Sequence, residues 1–504
     1  MGMKKLLCAT FEGIEAKSVD VELSMTKGLP SFSVVGMANI AINEAKERVK
    51  SALLNNDFTF PPKRITINLA PSDVKKEGSH FDLSMALLIL LQQHEIDLEN
   101  WYVFGELGLD GSVKENVLLY ALLLSLANQG RIEKAIVPKE SLPKLSKIPN
   151  IRFYGVQNLN EAVSVLEKKA LDAVDNTPES FASHRLSIAD QDYFYDQDYP
   201  EDFFEVKGQE HAKRAALIAA AGMHNILLEG SPGCGKSMIV KRLRYILPPL
   251  KDSEILDIAK LDTLEGQEPH FKALRPMRSP HHSATQASIF GGGSHRAMIG
   301  EVGLSHHGIL FFDELPHFSK SVLEALREPL EDKKIRISRV HSKVEYPTNF
   351  LFVAAMNPCP CGNLLSQSIA CRCSDTQIQQ YKNRLSDPFL DRIDLNVTMG
   401  SVGASDTSTV SSQQLHKKVR AAFALQKKRG QKQLNGGLGD AEIEKHCVLS
   451  NDANSVLEQS ITRFSLSFRS IKKVQKVART IADLDSSETI EKRHLLEALS
   501  FRRR

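Results

Sequence analysis

One segment constrains the fold of this chain more than any other, because it joins an apolar strand, a glycine-rich loop and a helix. The strand is Ile226–Leu228, the loop reads Gly-Ser-Pro-Gly-Cys-Gly-Lys-Ser, and helical spacing runs from Lys236 to Leu247. This order fits the phosphate-binding loop in full and disfavours a chance glycine-rich turn. Backbone N–H groups of such a loop turn inward around phosphate oxygens, and the helix N-terminus adds a positive dipole. The predicted nucleotide-binding residues are Gly230, Ser231, Pro232, Gly233, Cys234, Gly235, Lys236, Ser237 and Met238.

A second element supplies the carboxylates that hydrolysis requires. Ile309–Phe312 is an apolar run typical of a buried parallel strand, and Asp313 and Glu314 follow it. We expect Lys236 to neutralise the β- and γ-phosphates of ATP, while Ser237 and Asp313 hold Mg²⁺. Glu314 is then placed to activate the attacking water, which favours a hydrolase over a kinase, since a kinase need not activate water.

A third apolar run, Leu351–Met356, ends at Asn357. An amide at the end of this strand can hold the lytic water against the γ-phosphate. Taken alone Asn357 would be a weak signal, but as the third element in this order it supports an ATP hydrolase.

The length of 504 residues is too great for one core and predicts two or three domains. One segment holds ten acidic residues and a single arginine or lysine, which favours a solvated linker, although its aromatic residues suggest that part of it docks on a neighbour. The predicted divisions are an α/β domain over 1–171, an acidic linker over 172–205, the ATPase core over 206–400, a Ser/Thr-rich and then basic linker over 401–440, and a helical lid over 441–504.

Composition limits the partners and the compartment. The 64 basic and 61 acidic residues nearly balance, so any nucleic-acid-binding surface must be local. Apolar runs stay shorter than a bilayer requires, and the residues before Cys8 do not form a lipoprotein signal, so we expect a cytoplasmic protein without a membrane partner. Seven cysteines in such a chain favour thiols or a metal site over a disulfide framework.

Motifs across almost the whole chain resemble the ComM/YifB family of magnesium-chelatase-like AAA+ ATPases. The resemblance implies an AAA+ P-loop motor with an N-terminal Lon-protease-like α/β domain and a C-terminal helical lid, assembled as a homo-oligomeric ring, most simply a hexamer. The family includes a hexameric DNA branch-migration helicase used in natural transformation, which implies an ATP-driven motor that binds DNA without sequence preference. The motifs are Ile67–Ser72, Lys76–Leu83, Arg275–Ser283, Gly300–Leu304, Asn357–Gly362, Arg384–Asp394 and Val477–Leu484.

The resemblance also implies two functional arginines. Arg392 stands where related motors place an arginine finger, which would act in trans on the γ-phosphate held by a neighbouring subunit. Arg384 is the second choice for that role. Arg469 resembles the lid arginine that senses the γ-phosphate. The alternative for Arg392 and Arg469 is a surface ion pair of little consequence.

A Lon-type protease needs a serine nucleophile and a lysine that takes its proton. The matching motif has His80 at the nucleophile position, with Ser79 one place early, and Tyr120 stands near the place expected for the lysine. We therefore expect a non-proteolytic scaffold, with a shifted pair of Ser79 and Lys114 as the alternative.

Four cysteines follow Asn357 as two Cys-x-Cys pairs separated by nine residues. Four thiolates could enclose Zn²⁺ tetrahedrally, and four reduced thiols are the alternative. The candidate ligands are Cys359, Cys361, Cys371 and Cys373.

Between the second and third strands, alternating segments over Lys334–Val340 and Lys343–Tyr346 flank a polar centre and predict a β-hairpin. Related motors carry a hairpin here that points into the ring channel, so this hairpin is the predicted DNA contact. A solvated hairpin is the alternative, and the basic stretch Lys417–Lys432 is a competing contact. The candidate DNA-binding residues are Arg336, Arg339, His341 and Lys343.

Two other functions stay open at this point. One is a chelatase-type motor that drives metal insertion into a tetrapyrrole, and the other is a protein-remodelling or proteolytic AAA+ machine, which the missing dyad disfavours.

Overall fold

The structure, a computed structural model, describes residues 4–168, 173, 181, 183–292, 298–338, 343–366, 369–403, 405–464 and 466–502. These residues form two compact units. The first takes in the chain up to Phe181 together with Leu256–Phe271, and the second is built from most of the remaining residues. Among the described helices, none combines the length and the apolar character that crossing a bilayer requires.

The first unit is a mixed α/β structure around one sheet of seven strands. Its strand order is β3-β4-β2-β1-β5-β8-β9, with β1, β2 and β4 antiparallel and β5, β8 and β9 parallel to β1. The elements are β1 (Lys5–Glu12), β2 (Glu15–Thr26), β3 (Ser31–Val35), α1 (Ile40–Asn55), β4 (Arg64–Ala70), α2 (Asp82–Leu90), β5 (Tyr102–Val103), β6 (Glu106–Leu107), β7 (Val113–Lys114), α3 (Leu119–Asn128), β8 (Lys134–Pro138), α4 (Leu142–Leu145), β9 (Arg152–Val156) and α5 (Leu159–Leu166).

Helix α2 is central to the first core, because almost its entire surface is apolar and buried. Its polar residues are Ser84 and the first residue, Asp82, and both are also buried. Arg48 of α1 binds this carboxylate through two nitrogens, at 2.7 and 3.2 Å. Burial raises the pKa of Asp82 to about 6 in spite of that pairing. Pairing with Arg48 therefore compensates the free-energy cost of burying the Asp82 carboxylate in an otherwise apolar helix.

The second unit has a parallel sheet followed by a group of helices. Its elements are β10 (His184–Ile188), β11 (Gln191–Tyr195), α6 (Glu210–Gly222), β12 (Ile226–Gly230), α7 (Lys236–Leu243), α8 (Asp252–Leu264, which continues into the first unit), β13 (Met277–Arg278), α9 (Gln286–Phe290), β14 (Gly291–Gly292), β15 (Met298–Ile299), α10 (Glu301–Leu304), β16 (Ile309–Phe312), α11 (Lys320–Ala325), α12 (Arg327–Asp332), β17 (Lys334–Ser338), β18 (Lys343–Pro347), β19 (Leu351–Met356), α13 (Asp375–Lys382), α14 (Asp387–Leu390), β20 (Leu395–Met399), α15 (Ser412–Lys428), α16 (Asp440–His446), α17 (Asn451–Phe464), α18 (Phe468–Leu484) and α19 (Lys492–Ser500).

The sheet of the second unit confirms the predicted α/β fold class. Its five strands are all parallel and lie in the order β13-β16-β19-β12-β20. Every residue of β16 and β19 is buried, as expected for strands covered on both faces. The carboxyl ends of β12, β16 and β19 meet at one edge, where ligands of open α/β sheets bind.

The described residues of the two segments that the sequence predicts as linkers include a hairpin and a helix. Within 172–205, β10 and β11 form a hairpin, and Tyr193 packs edge-on against Phe423 of α15 with ring centroids 4.9 Å apart. Within 401–440, α15 begins at a capping box formed by Ser411 and Gln414 and buries Leu415 and other apolar residues in the core. The described parts of these two stretches therefore contain a docked hairpin and a core helix, whose apolar residues find partners that composition alone does not reveal.

The lid helices are held together by a buried charge cluster centred on Asp483. The side chain of Asp483 has no exposed surface. It accepts hydrogen bonds from Arg429 at 2.5 and 2.6 Å, from Arg479 at 3.1 Å and from the amide of Asn435 at 2.8 Å. One carboxylate thus satisfies donors from α15, from the turn that follows α15, and from α18, the helix that carries Asp483 itself.

Replacing Asp483 by alanine should destabilise the second unit by about 3–5 kcal/mol, because the mutation leaves buried guanidinium groups without a counter-charge. Denaturant unfolding measures the loss. The exposed residue Glu444 provides the control, and Glu444→Ala should change stability by less than about 0.5 kcal/mol. Equal stability of the two variants would contradict the proposed importance of the cluster.

Candidate nucleotide site

The glycine-rich loop follows β12 directly, as predicted. Gly233 and Gly235 have φ angles of 80° and 97°, which side chains rarely adopt. A Cβ atom at either position would meet no atom within 4 Å. The space in front of the loop is therefore open to a ligand, and glycine is required by backbone conformation. Cys234 is buried, while Met238 is partly exposed on the first turn of α7.

Lys236 connects the loop to the strand beside it. Its ammonium nitrogen donates to the carbonyl oxygens of Gly230 and Ser231, at 2.5 and 3.1 Å, and to the side-chain oxygen of Asn357 at 3.1 Å. Because β12 and β19 are neighbours in the sheet, Lys236 and Asn357 extend from adjacent carboxyl ends. The structure therefore brings together two residues that the sequence places 121 positions apart.

The two predicted magnesium ligands are also adjacent. The hydroxyl of Ser237, at the start of α7, lies 3.3 Å from a carboxylate oxygen of Asp313, which follows β16. A hydroxyl and a carboxylate are hard oxygen donors, and Mg²⁺ commonly takes one or two such protein ligands and completes its octahedron with water and phosphate oxygens. The pair therefore fits a magnesium ion bound together with nucleotide.

Glu314 has a strained backbone. Its φ angle is +52°, which is unusual for a residue other than glycine, and its N–H donates to the Asp313 carboxylate at 2.9 Å. This conformation leaves the Glu314 side chain 54% exposed at the site edge. A nitrogen of His282 lies 3.6 Å from its carboxylate. No spacing rule in the sequence links His282 to Glu314.

A second residue that the sequence did not single out is Tyr381 of α13. The backbone N–H of Asn357 donates to its hydroxyl, and burial raises the pKa of Tyr381 to about 12. The phenol therefore stays protonated at neutral pH and holds the end of β19 in place. A buried tyrosine needs such a partner, but the sequence does not reveal which one it finds.

The two predicted arginines share one carboxylate. Arg469 donates to one oxygen of Glu331 at 3.0 Å, and Arg392 pairs with the other oxygen. Burial alone would raise the pKa of Glu331, but the hydrogen bonds and charges of Arg392 and Arg469 lower it. Both arginines line one cleft that also contains Lys472 and Lys473.

This arginine pair lies at the opposite edge of the sheet from the loop. Asn225, which precedes β12, donates to the backbone oxygen of Arg392 at 2.9 Å. The loop begins at the other end of β12, and five extended residues span about 16 Å. Arg384, the second choice for the finger, instead donates to the backbone oxygen of Pro316 at 3.3 Å.

The predicted hairpin is present as β17 and β18, which pair as a two-stranded sheet. Glu345 on β18 pairs with Lys334 at 3.3 Å and with Arg336 at 2.8 Å. Arg336 is therefore partly neutralised, which the sequence reading did not anticipate because Glu345 lies beyond the hairpin tip. Arg339 and His341 lie outside the described residues, as does the side chain of Lys343.

In the first unit, the hydroxyl of Ser79 donates to Glu106. His80 is buried, donates a hydrogen bond from Nε2 to the backbone oxygen of Ala9 at 2.8 Å, and has its pKa lowered to about 4 by burial. Within the described residues, Ser79 has no lysine partner, and Lys114 stands opposite Glu106 in the β6–β7 register.

The four candidate zinc ligands converge. The sulfur atoms of Cys359, Cys361, Cys371 and Cys373 all lie within 4.8 Å of one another, and all four are free thiols. Arg372 and Asn363 direct backbone N–H groups at Cys361 and lower the pKa of its thiol to about 6.

Comparison with known families covers most of the chain. Residues 202–407 match the family described as magnesium chelatase, subunit ChlI. Residues 21–141 match subunit ChlI of Mg-chelatase, and residues 409–502 match the C-terminal part of that subunit.

Individual relatives match over nearly their full length. The chain is 38% identical over 501 residues to a protein named YifB from Salmonella typhimurium, covering 97% of this chain and 95% of the relative. It is 37% identical over 505 residues to the competence protein ComM of Haemophilus influenzae, with the same coverage. The magnesium-chelatase 67 kDa subunit of Heliobacterium mobile matches at 24% over 223 residues, which is 36% of this chain and 32% of that protein.

Three findings indicate the same family: identity above one third over nearly the full length, the parallel sheet, and the order of the motifs. This chain belongs to the ComM/YifB family of magnesium-chelatase-like AAA+ ATPases.

Proposed function

We propose that the chain is a magnesium-dependent ATPase that works as a ring motor on DNA. One observation carries the ATPase proposal. Lys236, Ser237, Asp313, Glu314 and Asn357 converge at the carboxyl ends of three neighbouring parallel strands, where a nucleotide would bind.

In this proposal each side chain has a separate task. Lys236 exchanges its two backbone acceptors for phosphate oxygens, while Ser237 and Asp313 hold Mg²⁺ against the same phosphates. The metal, when bound, neutralises charge that develops on the phosphate oxygens. Glu314 accepts a proton from the attacking water, and Asn357 orients that water.

The arginine pair supports action between subunits. Because Arg392 is anchored about 16 Å from the loop of its own subunit, it would reach a phosphate only across an interface. Glu331 ties Arg469 to the same edge, so both arginines would be presented to the same neighbouring nucleotide. A ring of identical subunits then contains one complete site per interface, and a hexamer is the arrangement we propose.

Several features support DNA as the polymer along which the motor moves. The relative from Haemophilus influenzae is named a competence protein, and it matches over nearly its whole length. The β17–β18 hairpin leads directly into β19 and Asn357, so hydrolysis could move it. Contacts of basic side chains with phosphates would give affinity without sequence preference.

Three of the seven basic residues in the competing stretch Lys417–Lys432 make contacts within the fold. Arg420 lies over the ring of Tyr195 at 4.2 Å, and Arg429 binds Asp483. Lys427 donates to the backbone oxygens of Gln431 and Lys432. The side chains of Lys417, Lys418, Lys428 and Lys432 remain exposed and must be tested beside the hairpin.

Metal insertion is the second candidate, because the matching families are described as magnesium chelatase subunits. The shorter match to the chelatase subunit of Heliobacterium mobile, against near-complete matches to YifB and ComM, favours the DNA motor. Protein remodelling with proteolysis is disfavoured, since Ser79 is bonded to a carboxylate.

Lys236→Ala should abolish nucleotide binding, because the phosphate charge loses its counter-charge. Glu314→Gln should bind ATP but hydrolyse it about 10²–10⁴-fold more slowly. Fluorescent-nucleotide titration and steady-state phosphate release measure the two effects. Lys241→Ala, on the exposed face of α7, is the matched control and should behave as the parent. Parent-like turnover by Glu314→Gln would exclude the role assigned to Glu314.

Arg392→Ala should bind ATP without turning it over. Mixing it with Lys236→Ala subunits should restore part of the activity, because an intact arginine edge then faces an intact loop at some interfaces. A mixture of Arg392→Ala with Arg469→Ala should restore none, since each interface still lacks one arginine. Ring formation by each variant and each mixture is checked by measuring the size of the assembly. Recovery in the second mixture, or none in the first, would contradict action of both arginines across one interface.

Arg339→Ala combined with Lys343→Ala should weaken DNA binding, flatten its dependence on salt concentration and remove DNA-stimulated turnover. Turnover without DNA should persist, because the phosphate site is untouched. Arg336→Ala should have a smaller effect, since Glu345 already pairs with Arg336. Reversing the charges of the exposed Lys417, Lys418, Lys428 and Lys432 tests the competing surface. If only that reversal impairs DNA binding, the hairpin is not the contact.

A further inference from the structure

The four cysteines after β19 form a compact cluster of sulfur atoms. Cys359 and Cys361 are 3.5 Å apart, and Cys371 lies 3.7 and 3.6 Å from them. Cys373 completes the group, with all four sulfurs within 4.8 Å of one another. The two Cys-x-Cys pairs are separated by nine residues in the sequence, and the fold brings their four sulfur atoms together.

These distances match the edges of a zinc tetrahedron. With Zn–S bonds of about 2.3 Å, tetrahedral geometry places neighbouring sulfurs about 3.8 Å apart. A disulfide would require about 2.05 Å, and all four cysteines are free. An iron–sulfur cluster carries inorganic sulfide between its metals and holds its ligands farther apart. A single tetrahedral ion fits the spacing best.

Backbone N–H groups around the sulfurs provide a second set of contacts. The N–H groups of Arg372 and Asn363 point at Cys361, that of Cys373 at Cys371, and that of Cys361 at Cys373. N–H groups directed at sulfur stabilise thiolates, and outer contacts of this kind orient the ligands of metal sites. Four neutral thiols packed together would not need them.

The cluster also touches the nucleotide site. Cys359 follows Asn357 by two residues, and the backbone of Gly362 packs so closely on Pro232 that a Cβ atom would lie 2.6 Å from the proline ring. Pro232 is part of the phosphate-binding loop. Gly362, directly after Cys361, therefore packs on the loop, and Cys359 lies two residues after Asn357 in the chain.

We propose that Cys359, Cys361, Cys371 and Cys373 bind one structural Zn²⁺, which fixes Asn357 and the tip of the phosphate-binding loop in their working positions. Binding releases the thiol protons to solvent and involves no change of oxidation state. The second half of the proposal rests on the ATPase function proposed above. The site takes part in no chemistry of its own and acts by holding the two elements that contact the nucleotide.

The test begins with the full-length parent, purified without chelator and without a metal-affinity step. Elemental analysis should find about one zinc per chain, and X-ray absorption should show four sulfur neighbours at about 2.3 Å. A folded, metal-free chain, or iron in place of zinc, would overturn the proposal. These measurements require no variant.

Cys371→Ser combined with Cys373→Ser should lose the zinc and lower kcat at least about tenfold, because Asn357 and the loop lose their support. Cys447→Ser, at a buried cysteine outside the cluster, is the matched control and should keep both zinc and turnover. Circular dichroism checks the fold, and if the double variant fails to fold, Gly362→Ala tests the contact with Pro232 and should lower kcat with zinc retained.

If the parent contains zinc but the zinc-free double variant keeps the kcat of the parent, the proposed link between the zinc site and the nucleotide site is wrong. A parent that contains zinc but never hydrolyses ATP would contradict the proposed function and leave the metal site standing. The two proposals therefore fail in distinguishable ways.

Discussion

The hydrogen bond between Lys236 and Asn357 depends on the order of the parallel strands, which is the constraint on which the second unit depends. It exists because β12 and β19 are adjacent and parallel, so that their carboxyl ends meet. The contact between Ser237 and Asp313 spans one strand more, from β12 to β16. Strand order thus converts three distant segments of sequence into one phosphate site, and the buried apolar faces of the strands hold that order fixed.

The same sheet separates the two halves of the proposed catalytic machinery. The loop, carboxylates and amide lie at its carboxyl edge, whereas Arg392 and Arg469 are tied to Glu331 at the amino edge. A single subunit therefore holds both parts without joining them. Glu331 gives the arginines a counter-charge in the free subunit, and a neighbour's phosphate would compete with it as an acceptor.

Local patterns predicted local features well. Ile226–Leu228, Ile309–Phe312 and Leu351–Met356 are strands as expected, because continuous apolar runs bounded by turns and polar residues have few other solutions. The fold of the remaining segments was predicted from the family resemblance, not from local patterns.

Contacts between distant residues were not predictable in this way. Nothing in the spacing pairs Arg392 with Glu331, His282 with Glu314 or the phenol of Tyr381 with Asn357, since each pair depends on how the segments pack. In the acidic segment, the aromatic residues suggested docking on a neighbour, but the sequence did not indicate which one: Tyr193 packs on Phe423 of α15.

A structure of the Glu314→Gln variant assembled with ATP and Mg²⁺ would be the most direct measurement. Each γ-phosphate should then contact Lys236 of one subunit and both Arg392 and Arg469 of the next, with Glu331 released from at least one of them. A nucleotide whose phosphates contact these residues from a single subunit, or a monomer that hydrolyses ATP at the rate of the assembly, would contradict the division of the site between subunits.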